Sequence, residues 1–247
     1  MTDPVVLRDR LNVLVQLRPA PVVARVPGSI AKVRPGAAFA EHEVAVAGHL
    51  AAAGAPVVAP SGELPPGPHI HGVHVVTFWE HVPERPEPVD PGAAGTALAE
   101  CHAALRSYPG ELPLLGRLSE AEALLARLTA EHTIDPATAA GLQRRFDELM
   151  RALRTLRSPV QPLHGDAHLR NVLNGPDGPL WNDWEDTCLG PVGWDVGCLL
   201  GTGDRARGEL ALAAAGIELD PAELALWIEA RTLQGSVWSA FIRREHP

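Results

Sequence analysis

Cysteine is scarce in this sequence: Cys101, Cys188 and Cys198 are the only three, and none sits in a CxxC spacing. An odd, scattered set excludes a disulfide framework and a structural zinc knuckle, and predicts a reduced, cytoplasmic protein. Long apolar runs are missing too. Nothing approaches the ~20 residues that a membrane-spanning helix needs, so no membrane partner is expected. The start, Met1-Thr2-Asp3-Pro4, lacks the basic-then-apolar pattern of a secretory leader. Positive charge is in deficit, with 21 Lys and Arg against 30 Asp and Glu and a net charge of −9. That balance disfavours binding to nucleic acid, whose phosphates need cationic partners, and is compatible with a cationic small substrate. Internal repeats and low-complexity tracts are absent, and no feature sets an oligomeric state.

What is present suits an ordinary folded protein: 247 residues, 46% hydrophobic and 21% charged, enough for two lobes. The first part reads as strands. Leu11–Leu17 and Val22–Val26 are rich in β-branched residues and flank Arg18-Pro19-Ala20-Pro21, which suits a connection between antiparallel strands. Phe39–Ala53 reads as a helix. Further strands are expected near Pro56–Ala59 and His74–Trp79, separated by a Pro/Gly-rich loop at Ser61–Pro68. The proline-laden Pro83–Pro91 reads as a linker, which gives an N-terminal lobe at 1–82 and a C-terminal lobe at 83–247.

Beyond the linker, helices dominate. Asp90-Pro91, Asp135-Pro136 and Asp220-Pro221 each place a capping carboxylate before a proline suited to a first helical turn. Ser119 with Glu122 resembles a capping box. Leu142, Phe146, Leu149, Leu153 and Leu156 recur at helical spacing and predict one apolar face. The expected fold class is therefore α+β, with a small β-rich lobe followed by a larger helical one.

The chemistry concentrates in Leu163–Gly197. His164-Gly165-Asp166 is followed by Asn171, a short apolar strand, the turn Gly175-Pro176-Asp177-Gly178, and Asp183-Trp184-Glu185-Asp186. Phosphoryl transfer asks little of a protein beyond positioning and charge neutralisation. One carboxylate must orient the attacking hydroxyl and accept its proton. An amide oxygen and a second carboxylate must hold Mg²⁺, which prefers hard oxygen ligands and keeps several waters. Asp166, Asn171 and Asp183 supply that set in that order. A β-hairpin across Val172–Asn174 and Leu180–Asn182 brings Asn171 and Asp183 together at its open end. His164 and His168 flank Asp166 and offer the alternative of a His-x-Asp-x-His metal site, which fits the downstream segment less well.

This segment resembles the catalytic and metal-binding loops of the aminoglycoside phosphotransferase and choline-kinase-like enzymes. The resemblance implies a bilobal, protein-kinase-like fold that binds ATP or GTP with Mg²⁺ and phosphorylates a small-molecule alcohol. By it, Asp166 is the catalytic base, and Asn171 and Asp183 are metal ligands. Asp195 braces the catalytic loop, with His164 in structural support. Leu98-Ala99-Glu100-Cys101-His102 is similar to a family helix in which His102 is structural. In the first lobe, Arg25 stands where a phosphate-contacting strand lysine is expected, with Glu43 as its ion-pair partner and Lys32 as a rival. Phe78–Val82, including Trp79 and His81, matches the hinge whose backbone meets the adenine edge. Glu185, Asp186, Glu229 and Trp238 are positioned to face an acceptor, for which a cationic amino sugar is one expectation. The sequence departs from the family at Arg8-Asp9-Arg10-Leu11-Asn12, where a glycine-containing turn is usual. That departure motivates a second expectation, a non-catalytic kinase-like binding protein.

Overall fold

A computed structural model describes residues 3–245; residues 1–2 and 246–247, at the ends of the two expected lobes, lie outside the described residues. The chain runs β1 (Asp3–Asp9), β2 (Asn12–Arg18), β3 (Val22–Pro27), α1 (Ala38–Ala52), β4 (His69–His71), β5 (His74–Glu80) and α2 (Pro91–Leu105). It continues through α3 (Gly116–Ala130), α4 (Pro136–Leu153), β6 (Val160–Leu163), β7 (Val172–Gly175), β8 (Gly178–Trp181) and β9 (Cys188–Pro191). Helices α5 (Gly193–Gly201), α6 (Arg205–Ala215) and α7 (Pro221–Glu245) complete it. The architecture is α+β. None of the described helices is long and apolar enough to cross a membrane.

Contacts group the chain into two compact units. The first joins everything up to Pro109 with Arg170–Glu185; the second joins Gly110–Leu169 with Asp186 onward. This grouping differs from a division at 82/83 for a physical reason. Helix α2 packs on β8, and the Pro83–Pro91 stretch is strapped to β7: Arg85 N–H donates to Asn174 O, and Asn174 Nδ2 donates to Glu87 O, both at 2.8 Å.

The first unit is built on a five-stranded antiparallel sheet in the order β1-β2-β3-β5-β4. Its β2–β3 connection is the expected proline-containing turn. Strand β1 was not foreseen, because an edge strand exposed along most of its length carries little apolar alternation. The expected strand at Pro56–Ala59 is instead a single parallel bridge, Val57 to Trp181. Prolines at 56 and 60 withhold the N–H groups that a longer ladder needs. Helix α1 buries Glu43, Val46, Ala47 and Leu50. Helix α2 is capped by Asp90, whose side chain accepts from Ala93 N–H, and it buries His102.

The second unit packs α7 against α5, α3 and α4. Two glycines make the α5–α7 approach possible. A Cβ on Gly193 would lie 2.1 Å from the Trp227 ring, and one on Gly197 would lie 2.5 Å from Trp227 O. Asp135 caps α4 through the N–H groups of Ala137 and Thr138, and Asp220 caps α7 through Ala222 and Glu223. Phe146 and Leu149 are the buried face of α4, whereas Leu156 falls beyond its end. The capping box at Ser119 does not form: α3 begins at Gly116, after Leu115 in the left-handed region at φ 44°. Residues 113–115 are tied to β9, since Leu115 N–H donates to Leu189 O and Leu189 N–H to Pro113 O, both at 2.8 Å. That strap starts the helix one turn earlier and leaves Ser119 inside it.

Candidate active site

In the first unit, Arg25 sits mid-strand on β3, opposite Leu14 and Thr77, and is 8% exposed. A guanidinium offers a fork of donors, and Arg25 uses it in three directions. Nη1 donates to Glu43 Oε1 on α1. Nη2 donates to Asp183 Oδ1 at 2.9 Å and to Glu185 Oε2 at 2.8 Å. Arg34, which the sequence did not single out, donates to Glu185 Oε1 at 2.6 Å. Its guanidinium also lies 4.4 Å from the centre of the Phe39 ring. Arg25, Arg34, Glu43, Thr77 and Glu185 line one pocket. Lys32 is exposed, so the second pocket cation is Arg34. Burial opposes the charge on Arg25, but Glu43, Asp183 and Glu185 together hold it firmly protonated. Burial pushes the Glu43 carboxyl up, against the downward pull of Arg25.

The β7–β8 hairpin pairs Val172 with Trp181 and Gly175 with Gly178. At its open end Asn182 N–H donates to Asn171 O at 3.0 Å, so Asn171 and the segment leading into Asp183 are brought together. Asp183 itself has φ 67°. These two side chains suit Mg²⁺: one charged and one neutral hard oxygen donor, with the Asp183 side chain 32% exposed. Among the described residues, no group of three or more His, Cys, Asp or Glu could hold a metal ion. The His-x-Asp-x-His alternative therefore finds no third-ligand geometry.

The expected hinge is only partly open to a base edge. Trp79 is buried, with its indole N–H donated to Thr77 Oγ1 at 2.8 Å. The backbone N–H of Glu80 is spent on Ala59 O and that of His81 on Pro21 O. His81 N–H is thus not an adenine donor. The glycine-free turn is also pinned: Arg10 N–H donates to Asn12 O, and Gly28 and Ile30 both donate to Leu11 O.

The second unit carries Asp166. Pairing of Leu163 with Cys188 on β6 and β9 sets the His164–Asp166 loop beside Asp186. Gly165 has φ 87°, and a Cβ there would lie 1.8 Å from Asp186 O. Only glycine fits. Asp195 on α5, fully buried, accepts from His164 N–H at 2.8 Å and Gly165 N–H at 2.9 Å. Trp194 Nε1 donates to Gly165 O at 2.7 Å. His164 Nδ1 lies 3.3 Å from Asp166 N. Asp166 is 6% exposed and is flanked by two arginines: Arg231 Nη2 is 2.9 Å from Oδ1, and Arg117 Nη2 is 3.2 Å from Oδ2. His168 Nε2 is 3.5 Å from Oδ2. Burial would raise the carboxyl, but Arg117 and Arg231 hold it well below the usual carboxylate range.

The three carboxylates expected to face an acceptor are otherwise engaged. Glu185 belongs to the Arg25–Arg34 cluster. Asp186 pairs with Arg117 at 3.2 Å. Glu229 pairs with Arg145 on the surface, both side chains more than 40% exposed. Trp238 lies under Arg117, its ring 4.8 Å from the guanidinium carbon.

A sequence model described as the phosphotransferase enzyme family matches residues 4–227. No curated protein matches the chain. Among solved structures, an amicoumacin kinase in complex with AMP-PNP, Ca²⁺ and Ami aligns with a TM-score of 0.75 at 17% identity, covering 99% of this chain and 81% of that one. A choline/ethanolamine kinase family protein from Mesorhizobium loti aligns at 0.70 with 19% identity, covering 99% and 81%. The GDP and kanamycin complex of APH(2")-IIia aligns at 0.68 with 18% identity, covering 99% and 88%. The fold is kinase-like.

Proposed function

The chain belongs to the phosphotransferase enzyme family, and from that premise we propose that it transfers the γ-phosphoryl group of ATP or GTP to a hydroxyl of a small molecule. The observation that carries this reading is the hairpin end, where Asn182 N–H donates to Asn171 O just ahead of Asp183, with Arg25 donating to Asp183 at 2.9 Å. Asn171 and Asp183 would hold Mg²⁺, which when bound supplies neutralisation of phosphate charge. Arg25 and Arg34, on a pocket wall, grip the non-reacting phosphate oxygens. Asp166, an ionised carboxylate in a loop braced by Asp195, orients the acceptor hydroxyl and accepts its proton.

Calorimetric titration with ATP and GTP, each with and without Mg²⁺, tests this. The expected result is Mg²⁺-dependent binding that Asp183→Ala weakens and Asp166→Asn leaves largely intact while abolishing turnover. The pinned, glycine-free turn favours a second reading, a non-catalytic binding protein. Absence of binding by either nucleotide, with or without candidate acceptors, would establish that one instead.

A further inference from the structure

Resting on that reading, we propose that the acceptor alcohol also carries an anionic group, a carboxylate or a phosphate ester, which docks on Arg117 and Arg231 and releases Asp166 for catalysis.

Four observations within the second unit lead here. Two guanidiniums, each on a long helix, contact the two oxygens of the Asp166 carboxylate at 2.9 and 3.2 Å. They are held from behind: Arg231 Nε donates to Thr202 Oγ1 at 3.0 Å and Nη1 to Gln234 Oε1, while Arg117 is stacked on Trp238. Gln234 is fully buried beside Arg231, and its Nε2 has no hydrogen-bond partner among the protein atoms. Two guanidiniums therefore flank the base, and behind Arg231 a buried amide N–H has no acceptor oxygen. The carboxylates that would receive an ammonium are neutralised instead, Asp186 by Arg117 and Glu229 by Arg145.

A carboxylate paired with two guanidiniums is a poor proton acceptor. A cationic acceptor would meet like charge there and could not relieve the pairing. An anion competes with Asp166 for the same forks, which match carboxylate and phosphate geometry. Its docking couples acceptor arrival to release of the base, so that water arriving alone leaves Asp166 clamped. In the step that follows, the acceptor oxygen forms its bond to the γ-phosphorus of the nucleoside triphosphate. The bond from that phosphorus to the bridging oxygen breaks, its electron pair leaves with the nucleoside diphosphate, and the hydroxyl proton passes to Asp166 and then to solvent. Arg117 and Arg231 contact the acceptor's anion and not the reacting atoms.

The test has two arms on the full chain. In the first, malonate and inorganic phosphate are titrated separately by calorimetry against the wild type, Arg231→Gln, Arg231→Lys and Arg34→Gln. Malonate affinity should fall about 10- to 100-fold in Arg231→Gln, recover in part in Arg231→Lys, and persist in Arg34→Gln. Equal affinity in the wild type and Arg231→Gln, no malonate binding, or loss only in Arg34→Gln would overturn the proposal. Phosphate binding with the same Arg231 dependence assigns the phosphate-ester form of the anion; malonate binding without it assigns the carboxylate. The second arm measures phosphorylation of glycerate, glycerol 3-phosphate, glycerol and kanamycin. Turnover of an anionic alcohol whose KM rises in Arg231→Gln supports the proposal. Turnover of glycerol or kanamycin that survives Arg231→Gln overturns it yet upholds phosphoryl transfer. Failure to bind any nucleotide defeats the proposed function, while the malonate arm still decides the anion site.

Discussion

Replacing Asp195 by alanine removes the acceptor of two buried backbone N–H groups, those of His164 and Gly165, at 2.8 and 2.9 Å. Asp195 and His164 are both fully buried, so no solvent takes over either bond. An orphaned buried donor costs about 1–3 kcal/mol, which puts the pair at roughly 4 kcal/mol. Removing the carboxylate also removes its own desolvation cost, so this figure is the upper end. Against a typical stability of about 5–15 kcal/mol the loss is large. Asp195→Asn keeps one acceptor oxygen but turns an NH₂ toward the second N–H, and should cost about half as much. Native-state hydrogen exchange resolves the effect at the two amides concerned. Their exchange should accelerate by up to roughly 1,000-fold in Asp195→Ala and about 30-fold in Asp195→Asn, since 1.4 kcal/mol is a factor of ten. Unchanged protection of His164 and Gly165 in the alanine variant would refute the claim that Asp195 braces this loop.

Gly165→Ala should fail more severely, because the new Cβ meets the backbone of Asp186 at 1.8 Å and the residue sits at φ 87°. Soluble yield and the thermal midpoint report it, and a midpoint within a degree or two of wild type would contradict the geometry. Asp166 supplies an acid-dependent term. Its folded carboxyl lies below the unfolded value of about 3.9, so its contribution is present above that value and is lost as pH falls through it toward the folded pKa. Urea midpoints measured from pH 6 down to pH 2.5 should therefore fall less steeply for Asp166→Asn than for the wild type. Parallel curves would mean that the Arg117 and Arg231 pairs do not stabilise the fold.

Much of the fold was legible because its signals are local. The Asp-Pro caps of α2, α4 and α7 act over three residues, and the β7–β8 hairpin is announced by its own turn, Gly175–Gly178. The failures have separate causes. Strand β1 lies exposed at an edge, with few apolar contacts to leave a pattern. Ser119 has the right neighbours for a cap, yet a strap between residues 113–115 and β9 set the helix start elsewhere. Val57 makes only one bridge because prolines bracket it.

By itself, then, the sequence determined the α+β class and the phosphotransferase-like order Asp166, Asn171, Asp183. Each of these rests on chemistry within a short stretch of chain. Only the tertiary structure decided where charge is neutralised. Arg25 reaches Asp183 across 158 residues, Arg117 reaches Asp166 across 49, and Arg34 reaches Glu185 across 151. Which carboxylate meets which guanidinium depends on the rotation and packing of helices and strands distant in sequence. No local pattern encodes that pairing, and the proposed anion site rests on it.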